Sequence, residues 1–112
     1  MSAITTHVLD TAGGRPAAGV EVTLERQQGG GWSVLATGVT DGDGRITDLL
    51  PPGPIEAGTY RLTFATGAWH AARGIEAFHP EISITFSVRD GSEHYHVPVL
   101  LAPFGFTTYR GS

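Results

Sequence analysis

The sequence predicts an all-β protein, a sandwich or barrel built from short strands. Its 112 residues include 16 glycines and 7 prolines, which divide the chain into short segments. Several segments alternate apolar and polar residues, as strands with one buried face do. Strands at this regular spacing are typical of antiparallel sandwiches and barrels. The length favours one domain that spans residues 1–112.

The first strand is expected at residues 3–10, where Ile4, Thr6 and Val8 point to one side and His7 points to the other. Further strands are expected at residues 20–26, 32–40, 46–50, 59–65, 82–88, 94–101 and 105–110. Turns or loops are expected between them at residues 10–16, 27–31, 41–44 and 89–93.

One segment, residues 67–76, has the composition of a short helix, which Gly74 could end. Alternation also predicts the inward-facing side chains. They are Val20, Val22, Leu24, Tyr60, Leu62, Phe64, Tyr95, Val97, Val99 and Leu101.

Composition argues against several classes of protein. Acidic residues outnumber basic ones by 11 to 7, and no basic run is present, so we expect no nucleic-acid partner. No apolar run approaches the length of a membrane helix, and the first residues do not resemble a signal peptide. We therefore expect a cytoplasmic protein that does not bind a membrane. With no cysteine, the core needs no disulfide.

Two histidines, His94 and His96, lie two residues apart on a predicted strand, so both face away from the apolar side. The simplest interpretation is a solvated pair of surface histidines. Together with His7 they could instead bind zinc, although no cysteine or carboxylate stands at ligand spacing. The strand pattern alone leaves both interpretations open.

Other polar or aromatic residues have ordinary structural explanations. Asp41-Gly42-Asp43-Gly44 resembles the start of a calcium loop, but it lacks the late glutamate and the flanking helices, so we expect a turn. Taken alone, Arg45 is a surface charge and the last four residues are a frayed polar tail. Packing roles are expected for Trp32, Trp69 and Tyr60, and His70 and His79 are expected to be solvated or locally hydrogen-bonded.

The end of the chain resembles that of the 5-hydroxyisourate hydrolases, the transthyretin-related proteins of purine breakdown. The matching residues are His94-Tyr95-His96-Val97-Pro98, Pro103-Phe104-Gly105 and the terminal Tyr109-Arg110-Gly111-Ser112. The likeness continues in Thr6–Asp10, Gly14–Ala17, Gly19-Val20, Thr40–Arg45 and Pro80–Ile82, and it is weakest over residues 66–79. The terminal tetrapeptide is the discriminating feature, because the hormone-carrying transthyretins lack it.

This resemblance implies a transthyretin-like (prealbumin-like) sandwich of two four-stranded antiparallel sheets with one short helix. It also implies a homotetramer, a dimer of dimers, with its sites at the dimer–dimer interface. A polar strand face that carries His94 and His96 would then line a water-filled channel. The tail would be ordered because it packs in that interface.

The resemblance further implies a site without metal or cofactor. The catalytic residues carried over are His7, Arg45, His96 and Ser112, and the substrate contacts are His7, Arg45, Tyr109, Arg110, Gly111 and Ser112. His94 is expected to be a neighbour on the rim.

The reaction implied is hydrolysis of 5-hydroxyisourate to 2-oxo-4-hydroxy-4-carboxy-5-ureidoimidazoline in urate catabolism. His7 and His96 would activate water and carry its proton, because histidine titrates near neutral pH. Arg45 would hold a histidine neutral and bind the carbonyl edge of the substrate. No Ser-His-Asp set or cysteine nucleophile is evident, so direct attack by water is expected rather than a covalent intermediate.

Three alternatives compete with this hypothesis. A transthyretin-like binding module would hold an aromatic ligand without turnover. A structural β-sandwich module is suggested by residues 14–45, which also look like modules of longer secreted proteins. A zinc site at His7, His94 and His96 is the third alternative.

Overall fold

The architecture is a sandwich of two β-sheets with one short helix. A computed structural model describes all residues, Met1–Ser112. In chain order the elements are β1 (Ile4–Asp10), β2 (Arg15–Pro16), β3 (Glu21–Gln28), β4 (Gly31–Val39), β5 (Arg45–Ile46), β6 (Gly58–Phe64), α1 (Thr66–Ala71), β7 (Ile82–Val88), β8 (Tyr95–Ala102) and β9 (Gly105–Thr108). The predicted all-β sandwich is confirmed.

The first sheet, called here the β1 sheet, has the order β2-β1-β8-β9, and β5 also pairs with β1. The second, the β3 sheet, has the order β4-β3-β6-β7 and is antiparallel throughout. The expectation of two purely antiparallel sheets is wrong at one point, because β1 and β8 run parallel. These two strands lie far apart in the sequence and are not joined by a hairpin, so the chain is free to bring them together in this direction.

The core lies between the two sheets and contains 18 buried apolar residues. Every side chain predicted to face inward belongs to this cluster. Strands β3 and β6 show the reason. Their apolar residues alternate with polar ones, and Leu24 and Leu62 lie opposite each other on the inner face, where both are fully buried. The alternation of apolar and polar residues places the apolar side chains on one face of each strand. Burial of these apolar faces stabilises the packing of the two sheets against each other.

Several element boundaries differ from the prediction. The strand expected at residues 46–50 is wrong, because β5 is only Arg45–Ile46. The exposed edge of β1 is shared, with β2 pairing at Leu9 and Asp10 and β5 pairing at Thr6 and His7, so neither partner can be long. The expected loop at residues 27–31 is reduced to a two-residue Gly29–Gly30 turn between β3 and β4.

The helix is shorter than the predicted segment 67–76, and the surroundings of one histidine in it differ from the prediction. The helix is a single element, Thr66–Ala71. His70 is 2% exposed and neither of its ring nitrogens has a hydrogen-bond partner, so the expectation of a solvated or locally bonded side chain is wrong. His79 is half-buried and meets the rings of Phe78 and Phe106 edge-on. With six residues, α1 is too short to span a membrane.

Candidate active site

His7 and Arg45 are brought together by the pairing of β1 with β5. They are direct partners in the antiparallel register, so their side chains leave the outer face of the β1 sheet side by side. The preceding Asp41–Gly44 segment is a turn, as expected. Its Asp41 carboxylate accepts hydrogen bonds from the N–H groups of Asp43 at 2.9 Å and Arg45 at 3.0 Å. The bond from Arg45 is the main cause of a lowered pKa at Asp41.

Gly44 is required by the way this turn approaches β1. Its φ is 75°, and an added Cβ would lie 2.4 Å from the carbonyl oxygen of Val8. Its own carbonyl accepts a hydrogen bond from the N–H of Val8 at 2.7 Å. Gly44 therefore lets the turn lie close enough to β1 to set Arg45 beside His7.

The Gly44→Ala variant should lose stability. A left-handed conformation alone costs a residue with a Cβ about 1–2 kcal/mol, and the contact with Val8 adds to that cost. Urea unfolding measures the effect, with Gly42→Ala as the matched control because a Cβ there meets nothing within 4 Å. Equal unfolding midpoints for the two variants would contradict this role of Gly44.

His96 reaches the same outer face from β8. The parallel register sets Thr5 opposite His96 and His7 opposite Pro98, so the two histidines lie diagonally on neighbouring strands. Burial lowers the pKa of His96 below its ordinary value of 6.5, and electrostatic interactions with His94, Arg45 and His7 lower it further, in that order. Arg45 was expected to lower the pKa of a neighbouring histidine, but burial lowers the pKa of His96 more than Arg45 does. His96 is thus neutral at neutral pH and able to accept a proton.

The C-terminal tail is tied to β8 within the same chain. The N–H of Gly111 donates to the carbonyl oxygen of His96 at 2.8 Å, and an added Cβ on Gly111 would lie 2.6 Å from Cδ2 of the His96 ring. The Arg110 guanidinium lies over the ring of Tyr95 and donates to the carbonyl oxygen of His94 at 3.2 Å. An intersubunit interface is therefore not required to position Arg110 and Gly111.

Tyr109 and Arg110 face a different space from His7 and Arg45. They line a largely apolar cavity of about 270 Å³ at the open edge of the sandwich, together with His96 of β8 and Ile84 and Phe86 of β7. Ser112 is exposed at the end of the chain. Within one chain, the structure gathers His7, Arg45, His96 and Gly111, and His96 also lines the adjoining cavity along which Tyr109 and Arg110 lie.

Two neighbours of His96 belong to the same cluster: His94, which was expected as a neighbour on the rim, and Thr5, which was not expected. The Thr5 hydroxyl lies 2.9 Å from Nε2 of His94 and 2.8 Å from Nδ1 of His96. Nothing in the sequence around Thr5 indicates this contact, because only the pairing of β1 with β8 brings Thr5 to His94 and His96.

The zinc hypothesis finds no support in this geometry. No three histidine, cysteine, aspartate or glutamate side chains are arranged to hold a metal ion. One ring nitrogen of His94 and one of His96 are already directed at Thr5.

The fold agrees with comparisons to known proteins. Residues 4–111 match the HIUase/Transthyretin family. A 5-hydroxyisourate hydrolase of Salmonella dublin is 46% identical over 109 residues, which cover 97% of this chain and 80% of that protein. The structure of Klebsiella pneumoniae 5-hydroxyisourate hydrolase superposes with a TM-score of 0.85 at 43% identity, covering 97% of this chain and 98% of the other. The structure of transthyretin from Sparus aurata superposes with a TM-score of 0.92 at 34% identity, covering 99% of this chain and 97% of the other.

The chain therefore belongs to the HIUase/Transthyretin family. Within that family it is an enzyme of the hydrolase class. The family resemblance seen in the sequence is confirmed.

Proposed function

We propose that the protein hydrolyses 5-hydroxyisourate to 2-oxo-4-hydroxy-4-carboxy-5-ureidoimidazoline in urate catabolism. The observation that carries this proposal is the convergence of His7, Arg45 and His96 on one sheet face, with His96 kept neutral by burial. Relatives named 5-hydroxyisourate hydrolase, in Salmonella dublin and Klebsiella pneumoniae, support the choice of substrate. Residues 1–112 would act as one domain, which the single buried cluster supports. A cytoplasmic location stays a prediction.

In the proposed mechanism, His96 or His7 takes a proton from water as that water attacks a ring carbonyl. The negative charge that develops on the carbonyl oxygen is stabilised by the guanidinium of Arg45, which is exposed beside His7. Collapse of the tetrahedral adduct breaks the ring C–N bond, and the histidinium returns its proton to the departing nitrogen. Water attacks directly, and the exposed hydroxyl of Ser112 orients the substrate rather than acting as nucleophile.

The tail would complete the slot for the flat substrate. Gly111 lies against the ring of His96, so the residues on either side of it are held near the reacting atoms. Arg110 and Tyr109 would contact the substrate by hydrogen bonds, Arg110 by exchanging its bond to His94 for one to the ring.

We also propose the homotetramer, a dimer of dimers with the sites at the dimer–dimer interface. Two uncharged strands, β7 and β9, form the open edges on the same side of the sandwich. Exposed uncharged edges are templates for pairing with another chain. Sedimentation distinguishes a tetramer from a chain of 11.8 kDa, and a monomer that retains full turnover would overturn the intersubunit site.

Turnover of freshly generated 5-hydroxyisourate, followed by ultraviolet absorbance, tests the activity. Decay in the presence of the protein should be much faster than spontaneous decay. The main alternative is a binding module without catalysis, which the likeness to Sparus aurata transthyretin favours. That alternative predicts a bound aromatic ligand and unchanged decay of the substrate.

The pH dependence of kcat/KM tests the assignment of His96 as the base, because the rate should then follow the neutral form of His96. Because burial and nearby positive charge lower the pKa of His96, the midpoint of the acid limb of the profile should lie below pH 6.5. The same shift affects stability: the unfolded chain binds this proton more readily than the folded chain, so the contribution of His96 to stability declines as the pH drops below 6.5. An acid limb above pH 6.5 would contradict the assignment of His96 as the base.

A further inference from the structure

A threonine hydroxyl lies between the two histidines of β8. Thr5 is 2% exposed although it stands on the outer face of the β1 sheet. Its Oγ1 lies 2.8 Å from Nδ1 of His96 and 2.9 Å from Nε2 of His94, and the two rings are close to parallel at an interplanar angle of 24°. These contacts cover the hydroxyl and hold it between two nitrogens.

The proton count makes these two contacts interdependent. A hydroxyl has one hydrogen, so Thr5 can donate to only one neutral imidazole and must accept from the other. If His96 donates from Nδ1, Thr5 donates to His94, and Nε2 of His96 keeps its lone pair. If Thr5 donates to His96 instead, the proton of His96 sits on Nε2, and that nitrogen cannot accept a proton from water.

The first arrangement alone suits general-base chemistry. When Nε2 of His96 takes a proton, Nδ1 still carries its hydrogen and still donates to Thr5, so no hydrogen bond has to rearrange during the reaction. In the second arrangement the hydroxyl would first have to turn away from His96. An arrangement that is already correct in the resting enzyme avoids that reorganisation.

We propose that Thr5 is a positioning residue, and that with His94 as its acceptor it holds His96 in the tautomer whose free nitrogen is Nε2. This inference rests on the proposed function and names His96, rather than His7, as the base. His94 then has a defined role, since its Nε2 accepts the Thr5 hydrogen and its Nδ1 carries the proton.

Nitrogen-15 NMR of the histidine side chains in the intact assembly, at about pH 8 where imidazole is neutral, tests the proposal without requiring turnover. Wild-type His96 should show a protonated Nδ1 and an unprotonated Nε2. In Thr5→Val the hydroxyl is lost, and in His94→Phe the acceptor is lost, so in both variants the proton of His96 should move toward Nε2. Thr5→Ser keeps the hydroxyl and should retain the wild-type pattern.

Kinetics supply the second readout. Thr5→Val should lower kcat by about tenfold, the factor that corresponds to one hydrogen bond, and Thr5→Ser should recover most of that loss. Thr23→Val, on the β3 sheet, is the matched control and should leave both readouts unchanged. A protonated Nε2 in wild-type His96, or the same tautomer in Thr5→Val, would overturn the proposal. The expected tautomers without turnover of 5-hydroxyisourate would instead refute the proposed function and leave the hydrogen-bond assignment standing.

Discussion

Replacing His96 with alanine should lower kcat/KM for 5-hydroxyisourate by about 10²–10⁴-fold, the range that positioned acid–base catalysis supplies. His96 is the histidine whose surroundings favour the neutral form, first through burial and then through electrostatic interactions with His94, Arg45 and His7. Loss of the imidazole removes the proton acceptor but leaves Arg45 and His7 on the other strands. Residual activity above the spontaneous rate should therefore remain.

Initial rates from ultraviolet absorbance give this effect directly. His79→Ala is the matched control, because His79 is also half-buried yet packs against Phe78 and Phe106 away from the site. Circular dichroism and sedimentation establish that both variants fold and assemble. A His96→Ala protein with the wild-type rate would remove His96 from the mechanism.

Replacing Gly111 with alanine should lower kcat/KM by about 10²-fold, because displacement of a catalytic group by about 1 Å can have that effect. The added Cβ would lie 2.6 Å from Cδ2 of His96, so either the imidazole or the tail must move. The tail lies after the last residue of β9, so the sheet itself should be unaffected.

Gly105→Ala is the matched control for this variant. Gly105 begins β9, and a Cβ there meets nothing within 4 Å. The thermal midpoint of Gly111→Ala should stay close to that of Gly105→Ala while the two rates diverge. Equal rates would mean that the contact between Gly111 and the ring of His96 has no catalytic consequence.

The local sequence pattern predicted most of the fold, because the core consists of the apolar residues that alternate with polar ones along each strand. Val22 and Leu24 in β3, or Tyr60 and Leu62 in β6, are buried for the same reason that they were assigned to one face. The short β5 was not predictable in the same way. Its length depends on how β2 and β5 divide the edge of β1, which is a property of the assembled sheet.

The site was predicted in part, by resemblance rather than by periodicity. His7, Arg45 and His96 were assigned from family motifs, and the structure brings them to one sheet face. Thr5 was missed because its partners are 89 and 91 residues away, and no local pattern encodes a parallel pair between the first strand and the last long one. His70 was misjudged because a polar residue in a short helix gives no local sign of complete burial.

The most direct measurement is identification of the product formed when the protein acts on freshly generated 5-hydroxyisourate in ¹⁸O-labelled water. Hydrolysis of the ring amide predicts rapid formation of the ureidoimidazoline, with one ¹⁸O atom in its new carboxylate. His96→Ala should form the same product far more slowly. Decay at the spontaneous rate in the presence of the wild-type protein, or a product whose carboxylate lacks the label, would contradict the assignment of this histidine site to water-driven ring opening.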